Sequence, residues 1–410
     1  MKANNYYAIL VFSAVLLSLL TYPANISANN SDASYQVQGD RKFSWQTPLP
    51  AGTEFTVGDP GNYYLNCDPD PCDLHCHCPP ADYYAIDINS GIAGNDDCGI
   101  YVLAAADGWV SDVSFNTDAY GYSVVLSHPD QFQSRYAHFI ETPLVRKDTW
   151  VAQGTPIGKV GSTGASFRCH LHFNVYYKDT TGFHSSKPEP LGSQNTLTDG
   201  MELTSQNYGP GYTQFNDNKI LPDFHEEIYN VYEQLRSMFF LEKPPLISYG
   251  GIGIIGSATK PITLWENQDG IYFQEFSANP NSSFEWAREH TSAIFEITTP
   301  NSPSQAYFIA GPIWKQYQED KGSLGKWGKP VSHSYNQSLM GSNGVRSDFT
   351  NGSIVWHAGQ YEFIEKPDID KPEWEANFFL EPNIFIGDSI PRFDKKIDFS
   401  WSNSSYPGPF

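Results

Sequence analysis

The chain has 410 residues, 40% of them apolar and only 17% charged, a balance that excludes an intrinsically disordered polymer. Lys+Arg 25 against Asp+Glu 46 gives a net charge of −21. That excludes a nucleic-acid binder working by counterion release, and it argues against an electrostatic grip on anionic lipid. Gly 33, Pro 29, Tyr 25, Phe 26 and Trp 10 predict short strands and turns in two or three domains, not a helical bundle.

In chain order, Lys2 precedes the apolar run Ala8 to Leu20, and small residues follow through Ala24 and Ala28. This is the layout of a secretory signal over 1–28, and about 13 apolar residues fall short of the ~20 that span a bilayer. The expectation is a secreted, periplasmic or wall-associated protein with no membrane attachment after signal cleavage. Six cysteines in an exported chain favour disulfides. Cys67, Cys72, Cys76 and Cys78 crowd together and would staple a loop, which leaves Cys98 and Cys169 for each other. Six cysteines allow about 15 pairings, and a zinc knuckle is the competing reading of the crowded four.

Residues 31–58 read as a segment of low regularity. Strands are predicted over 83–88, 100–105, 109–115, 122–127, 134–139, 157–160 and 170–177, cut by Gly, Asn-Asp and Pro turns. These define a first domain over 59–192. A Gly-, Ser-, Thr- and Asn-rich stretch over 193–223 opens a linker, 193–261, in which 225–240 is a helix with acidic residues early and Arg236 late. A second β-rich module spans 262–364, and an irregular tail spans 365–410.

The chemistry concentrates in four residues. His170-Leu171-His172 lies in a strand-like stretch, so both imidazoles leave one face while Leu171 goes to the core. Asp87 is an acid inside the apolar run Tyr83-Tyr84-Ala85-Ile86-Asp87-Ile88, where a buried carboxylate needs a cation or donors. His138 stands within Arg135-Tyr136-Ala137-His138-Phe139. His128 and His184 read as structural or surface histidines, and Cys169 as a disulfide partner or packing residue rather than a nucleophile. Tyr120, Trp109 and Phe167 are candidate walls of a substrate groove.

Several ordered motifs carry a family resemblance. They are Ala85-Ile86-Asp87-Ile88; Val102-x-Ala104-x-Ala106-Asp107-Gly108-x-Val110; Tyr120-Gly121-x-x-Val124-x-Leu126-x-His128; and Arg135-Tyr136-Ala137-His138. Val151-x-x-Gly154-x-Pro156-Ile157-Gly158-x-Val160-Gly161-Ser162-Thr163-Gly164 and His170-Leu171-His172-Phe173 follow. Together they resemble the zinc metallopeptidases of the lysostaphin and LytM type, family M23, over about residues 83–190. The resemblance implies a mainly β fold: an antiparallel-sheet peptidase domain of the duplicated-hybrid-motif kind, followed here by the second β-rich module. It also implies zinc held by Asp87 and His172, with His138 and His170 as the histidines beside the metal-bound water.

One position departs from the pattern. The family's His-x-Gly-x-Asp motif would put a histidine at position 83, where this chain has Tyr83. Catalytic zinc takes three protein ligands and keeps a position for water. The third ligand is therefore expected from the cysteine-rich loop, from His77 ahead of His75. The other reading is a pseudoenzyme that has lost the metal and binds or regulates. No helical His-Glu-x-x-His is present, so a thermolysin-like scheme is not supported. The implied substrates are peptide bonds of bacterial peptidoglycan stem peptides and cross-bridges, or Gly-rich peptides. In the second module, Phe308 to Trp356 resembles one LGFP-type repeat, which implies an accessory module for a cell-wall ligand.

Overall fold

The computed structural model describes residues 44–58, 82–91, 96–215, 219–237, 255–265, 268, 270–280, 282, 284–336, 344–357 and 359–364. The proposed signal segment, the cluster Cys67–Cys78 with His75 and His77, and the proposed tail lie outside them.

The fold is mostly β and antiparallel. Its N-terminal part contains β1 (Glu54–Val57), β2 (Ile86–Asn89), β3 (Tyr101–Leu103), β4 (Gly108–Asn116), β5 (Gly121–Ser127), β6 (Phe132–Phe139), β7 (Trp150–Val151), β8 (Pro156–Lys159), β9 (Leu171–Lys178), β10 (Phe183–Ser186) and β11 (Glu202–Thr204). Nine of these form one sheet in the order β11-β1-β2-β9-β6-β5-β4-β7, with β10 also paired to β9, while β3 and β8 pair separately. The period-2 pattern explains β9. Leu171, Phe173 and Val175 are fully buried in the core with Trp45, Ile86, Val124 and Tyr136. His172, Asn174 and Tyr176 therefore share the opposite face.

The seven predicted strands all exist, with their ends within three residues of those expected. Two stretches read as irregular are part of the sheet instead. β1 comes from the segment before residue 59, and β11 from the stretch taken as linker. Within the Gly-, Ser- and Asn-rich stretch 193–223, Ser205 and Asn207 are buried and hydrogen-bonded. Ser205 Oγ donates to the Leu49 carbonyl at 2.5 Å, and Asn207 Nδ2 donates to the carbonyls of Thr47 at 2.9 Å and Ala104 at 3.1 Å.

The predicted helix appears as α1 (Glu226–Ser237). Beyond it come β12 (Thr263–Leu264), β13 (Ile271–Phe276), α2 (Glu285–Glu289), β14 (Ser292–Ile297), β15 (Gln305–Ile309), α3 (Gly311–Glu319), β16 (Tyr335–Asn336), β17 (Val345–Phe349), β18 (Gly352–His357) and β19 (Gln360–Ile364). They form two four-stranded antiparallel sheets, β12-β13-β14-β15 and β16-β17-β18-β19. Trp109 and Trp150 of the first sheet share one apolar core with α1 and these later elements. No described helix is long and apolar enough to cross a membrane.

Candidate metal centre

The polar face of β9 meets its neighbours in a defined register. Asp87 of β2 lies directly across from His172, and Ala137 of β6 flanks His172 on the other side. One residue beyond Ala137, His138 ends up beside the same spot, and His170 precedes β9 in a bridge to Gly161. The four expected residues thus converge. His172 Nδ1 is 3.3 Å from Asp87 Oδ1, and His170 Nε2 is 3.6 Å from that same oxygen. The His138 ring centroid is 4.8 Å from that of His170 and 5.7 Å from that of His172.

The second nitrogen of each flanking histidine is already engaged. His138 Nδ1 lies 2.8 Å from the Thr163 carbonyl and His170 Nδ1 lies 3.0 Å from the Arg168 carbonyl. A carbonyl only accepts, so each Nδ1 carries the proton and each neutral ring keeps an electron pair at Nε2. Burial, with the neighbouring imidazoles His172 and His170, lowers the His138 pKa to about 4, so this ring is neutral at physiological pH. His172 goes the other way. Burial alone would lower it, but Asp82 and Asp87 outweigh burial and raise it to about 9.

Asp82 is the residue that sequence reasoning missed. Its carboxylate lies 3.8 Å from His172 Nε2 and accepts hydrogen bonds from the Tyr120 hydroxyl at 2.6 Å and Asn174 Nδ2 at 2.6 Å. Burial pushes the Asp82 carboxyl up, but His172, Tyr120 and Asn174 more than offset it and hold the group well below the usual carboxylate range. The available signal was a carboxylate five residues before Asp87, in the same run. Tyr83, at the departing position, is 44% exposed with its ring edge-on to Tyr84. The described residues bring Asp87, His138, His170 and His172 together, whereas His77 and His75 fall outside them.

Other expectations resolve plainly. His128 is fully buried, with Nδ1 at 2.7 Å from the Asp107 carbonyl and Nε2 at 2.7 Å from Ser134 Oγ, which is a structural role. His184 pairs with Asp179 at 3.1 Å on β10. Cys98 and Cys169 form a disulfide. They lie with Asp97 in a group of potential ligands, but the bridged sulfurs are not thiolates and cannot serve a cation. Tyr120 does border the site and Phe167 is 79% exposed, but Trp109 is a core residue, covered by α1 and its neighbours.

A β-sheet gathers these imidazoles and carboxylates at one point, on the motif order given above. Residues 87–183 match the model of Peptidase family M23. The chain is 36% identical over 77 residues to the lipoprotein NlpD of Yersinia enterocolitica, covering 19% of this chain and 77% of that protein. It therefore belongs to peptidase family M23. It is also 38% identical over 90 residues to the murein hydrolase activator NlpD of Escherichia coli (strain K12), over 22% of this chain and 23% of that protein. The match thus spans less than a quarter of that relative. Among solved structures, the catalytic domain of the antimicrobial peptidase lysostaphin from Staphylococcus simulans is 21% identical, covering 32% of this chain and 88% of that one, with a TM-score of 0.24.

Proposed function

We propose that the chain is an exported, zinc-dependent endopeptidase that hydrolyses peptide bonds in peptidoglycan stem peptides or cross-bridges. Asp87 and His172 are two of its metal ligands, and His138 and His170 handle protons. The observation that carries this reading is the convergence on Asp87 Oδ1 of His172 Nδ1 at 3.3 Å and His170 Nε2 at 3.6 Å. Two donors each ~2.0–2.1 Å from a tetrahedral ion stand about 3.3–3.4 Å apart, so the Asp87–His172 spacing fits zinc, and a carboxylate with an imidazole is a donor set that zinc accepts.

The third donor is His77, ahead of His75. Both ends of the stretch that contains them are close to the site: the Gly58 amide donates to the Asp87 carbonyl at 2.7 Å, and Asp82 faces His172. His77 is separated from Asp82 by five residue steps, a reach of up to ~17 Å. When bound, zinc supplies Lewis acidity and a water that ionises near neutral pH. His138, kept neutral by burial and fixed through Thr163, offers Nε2 to accept a proton and return it to the leaving amine. His170, fixed through Arg168, offers Nε2 as a second proton acceptor, and the imidazole that has taken the proton then donates to the oxygen that develops charge. Residues 262–364 serve as an accessory wall-binding module, a role supported by the LGFP-like sequence alone.

The test is metal analysis of the purified full chain, followed by digestion of muropeptides and of oligoglycine peptides. The expected result is one zinc per chain and muropeptide cleavage that is lost in His172→Ala. Wall lysis that persists in His172→Ala would sink the reading. The second reading, a metal-free regulator, is favoured by Tyr83 in the histidine position and by similarity to proteins named as hydrolase activators. It predicts binding to sacculi without stoichiometric zinc.

A further inference from the structure

His172 is flanked by carboxylates on both nitrogens, with Asp87 at Nδ1 and Asp82 at Nε2. The two nitrogens of an imidazole diverge, so a single ion cannot sit between the ring and both acids. An ion shared by Asp87 and Nδ1 leaves Asp82 outside its coordination sphere. We infer that Asp82 is a positioning residue for the metal site: its carboxylate clamps Nε2 of His172, and so turns Nδ1 toward Asp87 and the ion. This inference rests on the metal reading proposed above, and it assigns Asp82 a role distinct from that of the missing third ligand.

The clamp is itself held from several directions. Tyr120 donates to Asp82 Oδ2 at 2.6 Å, while Asn174 at 2.6 Å and Tyr176 at 3.3 Å donate to Oδ1. Asn174 and Tyr176 lie on the same face of β9 as His172, so Asp82 and the imidazole it addresses are referenced to one strand. Behind them, the Arg135 guanidinium lies 4.0 Å from the Tyr120 ring centroid, and Arg135 Nε donates to the Tyr176 hydroxyl at 3.1 Å. Oδ1, the oxygen nearest His172 Nε2, is thus held in place by two side chains of β9 itself. The 3.8 Å separation is longer than a direct hydrogen bond by less than ~1 Å, a gap that a small side-chain movement would close. A partner of this kind fixes the tautomer and orientation of a ligating histidine, and its loss typically costs about 10–100-fold in metal affinity.

The experiment measures zinc affinity of the full chain by competition with a chromophoric chelator, for wild type and Asp82→Asn. Imidazole 15N–1H spectra of the zinc-loaded wild type are recorded alongside. The expected result is one zinc per chain in both proteins, with affinity about 10–100-fold weaker in Asp82→Asn. In wild type the spectra should place the metal on Nδ1 of His172 and a slowly exchanging proton on Nε2. Affinity in folded Asp82→Asn within twofold of wild type overturns the inference while leaving the metal reading intact. Metal on Nε2 in the wild-type spectrum also overturns it, and that result does not depend on the variant folding. Failure of wild type to take up zinc overturns the metal reading, and this inference with it.

Discussion

His138 is held at φ 62°, in the left-handed region that a histidine seldom adopts. Strain of this kind persists where the surroundings over-determine it. Here its amide donates to the Tyr120 carbonyl at 2.9 Å and its ring to the Thr163 carbonyl. The close approach of these two segments needs Gly121, at φ 59°, because a methyl there would run into the Thr163 backbone. Gly121→Ala is therefore expected to push the Thr163 carbonyl off the His138 ring. Turnover should fall at least tenfold while zinc content is retained, as checked by steady-state kinetics beside metal analysis. His138→Ala should lower kcat by ~10²–10⁴ with the metal still bound. At this scale Asp87, His138, His170 and His172 were legible because acids and imidazoles inside apolar strands demand explanation. Asp82 was not, because it precedes its strand at a turn and its partners Tyr120, Asn174 and Tyr176 are distant in sequence. Tyr83 drew attention as a substitution, yet its side chain is directed to Tyr84 and solvent.

Among the elements, β9 was legible almost completely, since alternation assigns one face to the core and the other to chemistry. The short strands β1 and β11 were not. Four and three residues long, they are fixed by pairing, β11 with β1 and β1 with β2, and the alternation that buries Phe55 and Val57 of β1 runs over too few residues to stand out. The pairing of Cys98 with Cys169 was reached by elimination and is present. Because Cys169 adjoins His170, Cys98→Ser with Cys169→Ser is expected to lower the melting temperature by the equivalent of about 2–4 kcal/mol, read by calorimetry. A titrating element lies in the later module. His333 Nδ1 accepts the Phe308 amide of β15 at 3.0 Å, a role open only to the neutral ring, and burial lowers its pKa to about 4. A depressed histidine contributes stability that is present above its unfolded value near 6.5 and is lost as pH falls toward 4. Thermal melts should therefore show stability dropping across that window, with a shallower drop in His333→Asn. An equal slope in both proteins would exclude His333 as the source.

For the whole molecule, the sequence suggested separable parts joined by a linker, and the packing joins them instead. Arg236 of α1 forms an ion pair with Asp107, donating to the one oxygen Oδ2 through Nε at 2.6 Å and also through Nη2. Asp107 Oδ1 accepts the Gln153 amide at 2.8 Å, and Ser257 Oγ donates to Gln153 Oε1 at 2.8 Å. Composition could not reveal this, because a lone arginine at a helix end reads as dipole compensation. Arg236→Leu leaves a buried carboxylate unpaired and is expected to cost about 3–5 kcal/mol, measured by denaturant unfolding. A single cooperative transition for the described halves should accompany it in wild type, since Trp109 and Trp150 belong to the same apolar core as β13, β14 and α3.

The Gly58–Asp87 hydrogen bond and the antiparallel pairing of β1 with β2 fix the two described residues that bound the stretch 59–81, Gly58 and Asp82, beside neighbouring strands of one sheet. Chain length between two fixed ends is inexpensive, as each doubling adds only about 0.6 kcal/mol of closure entropy. Replacements of different length between these two ends are therefore expected to leave the pairing of β1 with β2 and the imidazole face of β9 intact.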